Sequence, residues 1–338
     1  MHVSAETSLD CMRRPLTRLR PDDTSCAVET VSCIFCGDVG TRPYHAENNY
    51  QAVSCNGCGL VFVTPRPSEA EMKKLYEGQE TKVDLALQIQ SVERATLEAR
   101  RALELIAKFV PSGDLLEIGS AAGYLLREAK AYGYSPVGID ITGPFVQFGR
   151  DVLGVDVREG TLGSVELPPK SFDVAYHRNV LSHLAYPLEA FRTMRELLRP
   201  RGWMVYQTGN VAELPGEFWA GTNELDLPDH LYHFGEKQIR MLNDRAGFET
   251  VDLRRYSLLL HDPWIRDGLS RVRSLGKRNN GGSKKPGQPF VVPKEIPAKR
   301  LLKTLEFLVD GFITYDVGAV LPKENRRATF LVVARARG

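Results

Sequence analysis

The chain has 338 residues, 43% of them hydrophobic and 25% charged, enough for one large or two modest domains with ample core. Lys and Arg (44) nearly balance Asp and Glu (42), leaving a formal charge of +2 and no global field that would draw the protein to nucleic acid. No apolar run approaches membrane-spanning length and the first residues lack the apolar core of a signal peptide, which predicts a cytoplasmic protein with no membrane partner.

Residues 1–28 are polar, with scattered Arg13, Arg14, Arg18 and Arg20 and no periodicity, and read as a disordered tail that also holds Cys11 and Cys26. Residues 29–80 read as a small ribbon followed by a linker helix. Two C-x-x-C pairs, Cys33/Cys36 and Cys55/Cys58, have zinc-ribbon spacing, with Gly37 and Gly59 supplying the tight turns. Four thiolates would close a tetrahedral shell around zinc, so the metal is expected to be structural. The alternative, a pair of disulfides, does not suit a chain with no sign of secretion. Ser68 with Glu71 three residues on predicts a capped helix start.

Residues 81–338 read as one α/β domain with a flexible loop at about 274–297. A helix is expected over residues 84–109, ended by Pro111-Ser-Gly. An apolar strand follows at 114–118, a helix at 124–132, and a second strand that ends on Asp140. Further strands are expected at 172–176 and 203–207. Between them lies an amphipathic helix over 188–198 with Leu188, Phe191, Met194, Leu197 and Leu198 on one face, ended by Pro200 and Gly202. A helix over 236–246 leads into strands that continue to about Leu253. The Gly- and Pro-rich basic stretch 277–289 then precedes a helix over 298–313 and a strand over 328–334.

The first strand–loop–helix unit has small residues in its turn and a carboxylate at the tip of its second strand, an arrangement that holds nucleotide-type cofactors. A dinucleotide fingerprint fails, because its second and third glycines fall on Ala121 and Tyr124, and no Gly-Lys-Ser/Thr follows for a P-loop. What stands is E-x-G-x-x-x-G, with Glu117, Gly119 and Gly123. This resembles motif I of class I S-adenosylmethionine-dependent methyltransferases. The later run from Leu167 through Phe172-Asp-Val, His183 and the 191–206 segment is similar to the family's fourth strand, following helix and fifth strand, with Arg201 where a glycine is usual. Residues 33–76 resemble the N-terminal module of a bacterial group of these enzymes, many of which modify natural products, sugars or glycans.

The resemblance implies a Rossmann-like seven-stranded class I methyltransferase sheet, its last strand reversed, preceded by a small zinc ribbon. It implies S-adenosylmethionine as cofactor, with Gly119, Ser120 and Gly123 lining its methionine end and Glu117 ordering that loop or reaching the amino group. Asp140 and the adjoining Ile141 would meet the ribose, Thr161 and Leu162 would flank the adenine, and Arg178 and Asn179 would lie near the methyl group. His177 is expected beside them. Of the histidines, His230, in Leu227-Pro-Asp-His230, is the first catalytic choice as general base, with His183 second and His177 third; Glu224 and Asp229 are weaker candidates.

The implied reaction is in-line methyl transfer to a small-molecule acceptor, foremost a hydroxyl of a sugar or secondary metabolite. The work of the enzyme would be to align the nucleophile and take its proton. Tyr206, Phe218, Trp219 and Tyr232 are candidates to wall an organic substrate. Two other readings stand beside it. One is an RNA methyltransferase that grips phosphates through the ribbon and the basic residues Arg271, Arg273, Lys277, Arg278, Lys284 and Lys285. The other is a non-catalytic cofactor-binding scaffold. Near-neutral charge argues against nucleic acid, and no feature specifies an oligomeric state.

Overall fold

Alternation of short β-rich runs with Gly-marked turns builds the N-terminal module from β1 (Val28–Glu29), β2 (Thr41–Glu47), β3 (Tyr50–Cys55), β4 (Val61–Val63) and β5 (Arg66–Pro67). The computed structural model describes residues 27–72, 92–213, 225–256, 305, 307–309, 311–317 and 329–338. The predicted tail up to residue 26, the linker helix beyond residue 72 and the 274–297 loop lie outside the described residues, as do Phe218, Trp219, Glu224, Arg271 and Arg273. Val28, expected in the tail, already pairs with Pro67 in β1. Ser68 does cap a turn there: its Oγ accepts from the Glu71 N–H at 3.4 Å.

The second part begins with α1 (Val92–Ala107), β6 (Gly113–Ile118), α2 (Tyr124–Ala131), β7 (Tyr134–Asp140), α3 (Gly143–Asp151) and β8 (Asp156–Glu159). It continues with β9 (Phe172–Arg178), α4 (Pro187–Leu197), β10 (Leu198–Gly209), β11 (Tyr232–His233), α5 (Glu236–Arg245), β12 (Phe248–Tyr256) and β13 (Thr329–Ala336). The predicted 298–313 helix is seen only in its last turns, which pass into a π-helical segment, Phe312–Val317.

One seven-stranded sheet runs β12-β13-β10-β9-β6-β7-β8. The pairs within β10-β9-β6-β7-β8 are parallel, whereas β13 runs antiparallel to both β10 and β12. This is the class I methyltransferase order with its reversed strand inserted near the edge. Helices cover both faces, as a parallel sheet requires. Leu115, Val174 and Val205 point to the side of α1 and α2, and their neighbours Leu116, Ala175 and Met204 to the side of α4 and α5.

α4 buries Leu188, Phe191, Met194 and Leu197 at helical spacing, each side chain of this size contributing roughly 1.5–3 kcal/mol. β10 starts earlier than the sequence pattern suggested. The chain leaves the helix at Leu198 and bulges before Trp203, and Arg201 adopts φ 62, the left-handed value for which a glycine is usual.

The ribbon does not stand apart from this sheet. Its own sheet, β11-β4-β3-β2, takes its edge strand from beyond residue 230. Cys33, Phe35, Cys58 and Phe62 share one apolar cluster with Leu231, Phe234, Ile239 and Leu242. Gln238 donates to the Cys58 carbonyl at 2.7 Å, and Arg245 to the Phe35 carbonyl at 2.7 Å. The fully buried Arg66 guanidinium binds Glu29, the Tyr232 hydroxyl and the Ala185 carbonyl. Among the described residues, no helix is long and apolar enough to cross a membrane.

Candidate active site

At the carboxyl ends of the parallel strands lies a cleft of about 1700 Å³, where open α/β sheets hold their ligands. Its first half is made by the β6–α2 turn. Gly119 and Gly123 adopt φ 67 and 84, and a Cβ on either would lie 2.5 Å from Val180 or 2.8 Å from Val155. Glycine is required at both positions, for conformation and for room. Ala121 takes φ 45 without that freedom, and its N–H donates to Asp140 Oδ2 at 2.7 Å. Asp140 Oδ1 accepts from the Thr142 N–H at 2.8 Å. The carboxylate is thus the brace between the two turns; burial raises its pKa and these N–H groups oppose the rise.

Glu117 lies at the floor of the same half, and its buried Oε2 meets no hydrogen-bond partner among the described residues. Burial holds its pKa well above the usual carboxylate range; Arg178 opposes this and Asp140 adds to it. Arg178 is ion-paired with Glu98 of α1, which also takes Arg94 at 2.9 Å. Burial works to raise Glu98, but the two guanidinium groups bring it below its ordinary value. Glu98 and Arg94 were not anticipated. Their i,i+4 spacing was visible, but the partner that makes it matter lies 80 residues away. Ser120, Ile141, Thr161, Leu162 and Asn179 all border the cleft. Thr161 is engaged locally, its N–H and hydroxyl both meeting Ser164 Oγ at 2.8 and 3.1 Å.

The second half draws on three distant segments. His183 ends a short 3-10 helix, Leu181–His183, and its Nδ1 lies 3.0 Å from the Asp229 carbonyl and 3.2 Å from Asp229 Oδ1. The Leu231 N–H donates to the Ser182 carbonyl at 2.7 Å and ties the two segments together. His183 and Asp229 line the cleft, whereas His230 stands edge-on to His183 with ring centroids 4.7 Å apart, and 6.0 Å from His233. Further lining comes from Glu189, Asp226 and the ribbon residues Asn48, Asn49 and Glu69.

Three sequence expectations need correction. His177 does not reach the cleft: it is fully buried, stacked on Tyr206 at 4.8 Å and edge-on to Phe191, and burial lowers its pKa to about 3. The cause is strand alternation: Tyr176 and Arg178 of β9 face the cleft, so His177 faces α4. Tyr206 and Tyr232 are core residues and not cleft walls; their hydroxyls bind Asn243 at 2.9 Å and Arg66 at 3.0 Å.

The four ribbon sulfurs lie within 4.8 Å of one another, with Cys33 and Cys58 Sγ 3.5 Å apart, as free thiols and not disulfides. Gly37 and Gly59 donate N–H groups back to the Cys33 and Cys55 carbonyls, both at 2.9 Å, forming two knuckles. Burial raises the Cys33 and Cys58 thiols. At Cys55 the N–H groups of Cys58 and Gly57 and the neighbouring sulfurs outweigh burial and bring it down to about 7. A convergent set of four soft donors, three of them buried and Cys36 half-buried, fits zinc.

Comparison with known proteins agrees with this geometry. Residues 92–253 match the family model described as a methyltransferase domain. The uncharacterized methyltransferase YcgJ of Bacillus subtilis is 24% identical over 163 residues, 46% of this chain and 64% of that protein. A ubiquinone biosynthesis O-methyltransferase of Cereibacter sphaeroides is 33% identical over 158 residues, 41% of this chain and 61% of that protein. A tRNA U34 carboxymethyltransferase of Chromohalobacter salexigens is 32% identical over 98 residues, 27% of this chain and 28% of that protein. The chain thus spans less than two thirds of the length of these curated relatives. The crystal structure of YcgJ aligns with 71% of this chain and 99% of its own, at 18% identity and TM-score 0.43. With the strand order and the Gly119–Asp140 turn in place, residues 92–253 belong to the class I S-adenosylmethionine-dependent methyltransferases.

Proposed function

We propose that the protein transfers a methyl group from S-adenosylmethionine to a hydroxyl of a small molecule, a sugar or secondary metabolite, in the cytoplasm, with zinc held structurally by Cys33, Cys36, Cys55 and Cys58. The observation that carries the reading is the convergence on one cleft of the Gly119–Asp140 cofactor turn and the His183–Asp229 pair. S-adenosylmethionine, when bound, supplies a methyl group on a positively charged sulfur that leaves neutral. Gly119, Ser120 and Gly123 would hold its methionine end, Asp140 its ribose hydroxyls, and Ile141, Thr161 and Leu162 its adenine. Glu117 is suited to its ammonium group, whose positive charge would offset the cost of burying the carboxylate. Arg178 and Asn179 close this half from β9.

His183 is the better-supported general base. With Nδ1–H directed at Asp229, the proton-accepting nitrogen is Nε2, the base–orienter arrangement that activates a hydroxyl nucleophile. As the acceptor oxygen takes the methyl group, its proton passes to His183 and Asp229 balances the imidazolium charge. His230 packs behind this ring.

The lining also bears on the acceptor class. Glu69, Glu189, Asp226 and Asp229 put carboxylates on the acceptor half, and both arginines among the described lining residues, Arg94 and Arg178, are paired with Glu98. Carboxylates and amides accept and donate to hydroxyl groups and repel a phosphate backbone. This favours a hydroxylated small molecule over RNA, and an O-directed relative is in keeping with it.

The test is labelled methyl transfer to a panel of hydroxylated small molecules by the parent and a His183→Ala variant. The variant should lose roughly 10²- to 10⁴-fold in rate while binding S-adenosylhomocysteine as the parent does. An unchanged rate would remove His183 from the mechanism.

A further inference from the structure

The ribbon is placed where a purely structural metal module has no need to be. Its β2–β3 hairpin turns through Asn48 and Asn49, at φ 51 and 65, both in the left-handed region. That is the two-residue turn whose twist matches paired strands, and asparagine is among the few side chains that tolerate it. The turn carries both asparagines to the mouth of the methyltransferase cleft. Beside them Glu47 is 6% exposed. Its Oε1 accepts from the Leu227 N–H at 2.7 Å and its Oε2 from the Leu225 N–H at 3.1 Å. Asn48 Nδ2 donates to the Leu227 carbonyl at 2.8 Å. Leu225 and Leu227 are themselves buried against Tyr50, Ala52, Val61 and Val63 of the ribbon.

A carboxylate buried to this degree is tolerated when charge-assisted hydrogen bonds replace its water. The pairing therefore fixes residues 225–227 firmly, two residues before Asp229. From there the path is short: Asp229 meets His183 Nδ1, and Leu231 is tied to Ser182.

We infer that the cysteine ribbon is a working wall of the acceptor site, and that Glu47 is a positioning residue that sets the loop on which Asp229 orients His183. The inference rests on the reading that this half of the cleft receives the acceptor. It also narrows the ligand. The ribbon presents neutral amides beside carboxylates, chemistry that takes a neutral, hydroxyl-rich molecule.

The experiment compares the full-length, zinc-loaded parent with Glu47→Gln and, separately, Asn48→Ala. Three readouts are used: amide hydrogen exchange at Leu225 and Leu227, the imidazole nitrogen shifts of His183, and calorimetric titration with S-adenosylhomocysteine. Glutamine can accept from only one of the two N–H groups. Exchange should quicken about ten- to hundredfold, and the His183 shifts should change from one tautomer to an average of two, while S-adenosylhomocysteine affinity stays within about twofold. Unchanged exchange and an unchanged tautomer signature would overturn the inference. Should Glu47→Gln fail to fold, Asn48→Ala removes only the tip contact and is judged by the same signature, its absence again overturning the inference. If the parent itself does not bind S-adenosylhomocysteine yet the variants loosen the loop, the cofactor reading fails and the positioning role of Glu47 stands.

Discussion

The two halves of the cleft are built in opposite ways. The cofactor half is local: Gly119, Ala121, Gly123 and Asp140 come from one strand–turn–helix–strand unit, and its hydrogen bonds join residues about 20 apart. The acceptor half is assembled from the ribbon hairpin, the 3-10 helix after β9 and the 225–231 loop. Its fixing contacts span 178 and 180 residues. A local unit is held by backbone geometry that few sequences satisfy, so it keeps its shape wherever the fold forms. A composite site depends on every contributing element being docked, and here one of those elements is itself organised by four thiols.

That difference predicts unequal responses to damage. The largest effect should follow loss of the metal. Chelation, or Cys55→Ser, should remove a contribution on the order of 10 kcal/mol that a four-thiolate zinc site makes to folding of its module. Elemental analysis should first find one zinc per chain. On its removal, amides of residues 225–231 should lose exchange protection while those of β6 and β7 retain theirs. Equal loss in both regions would erase the distinction between the halves, and no loss in the loop would uncouple it from the ribbon.

A smaller effect comes from pH, and each side of the comparison carries one sensor. His177 sits in the methyltransferase core and His233 on β11, the strand shared with the ribbon, and burial lowers both to about 3 from the ordinary 6.5. Between those values the unfolded chain binds protons that the folded chain cannot. Stability is therefore complete above pH 6.5 and falls as pH drops toward 3, by roughly 1.4 kcal/mol per pH unit for each histidine. Neither nitrogen of His177 has a hydrogen-bond partner among the described residues. His177→Phe should consequently stabilise the protein by about 1 kcal/mol at pH 7 and remove one histidine's share of the slope. Urea unfolding at pH 7 and pH 5 measures both, and an unchanged slope would contradict the burial argument.

The same contrast decides what could be read from the chain. The individual strands and helices and the spacing of Glu117, Gly119, Gly123 and Asp140 were legible because each is set by local periodicity and turn chemistry. The two cysteine knuckles were legible for the same reason. The class I sheet order and its reversed last strand followed instead from the family resemblance that those residues carry. His177 was misplaced, although the alternation of β9 already forbade it from sharing a face with Arg178. The pairing of His183 with Asp229 was not visible, because nothing in a linear sequence says which loop lies beside a 3-10 helix 46 residues earlier. The hairpin turn at Asn48-Asn49 went unread, although asparagine is among the residues that tolerate the left-handed backbone both adopt. That Glu47 beside it would hold the loop of the acceptor site needed the fold. Ala121, at the second glycine of a dinucleotide fingerprint, and Arg201, where the methyltransferase family has a glycine, adopt the left-handed backbone all the same.

Whether the Gly119–Asp140 unit is a working cofactor site is decided by calorimetric titration of the zinc-loaded protein with S-adenosylhomocysteine, alongside Asp140→Asn. Micromolar binding by the parent, weakened about tenfold or more in the variant, is the predicted result. A folded parent that gives no binding heat and no shift in thermal unfolding with the ligand would contradict it.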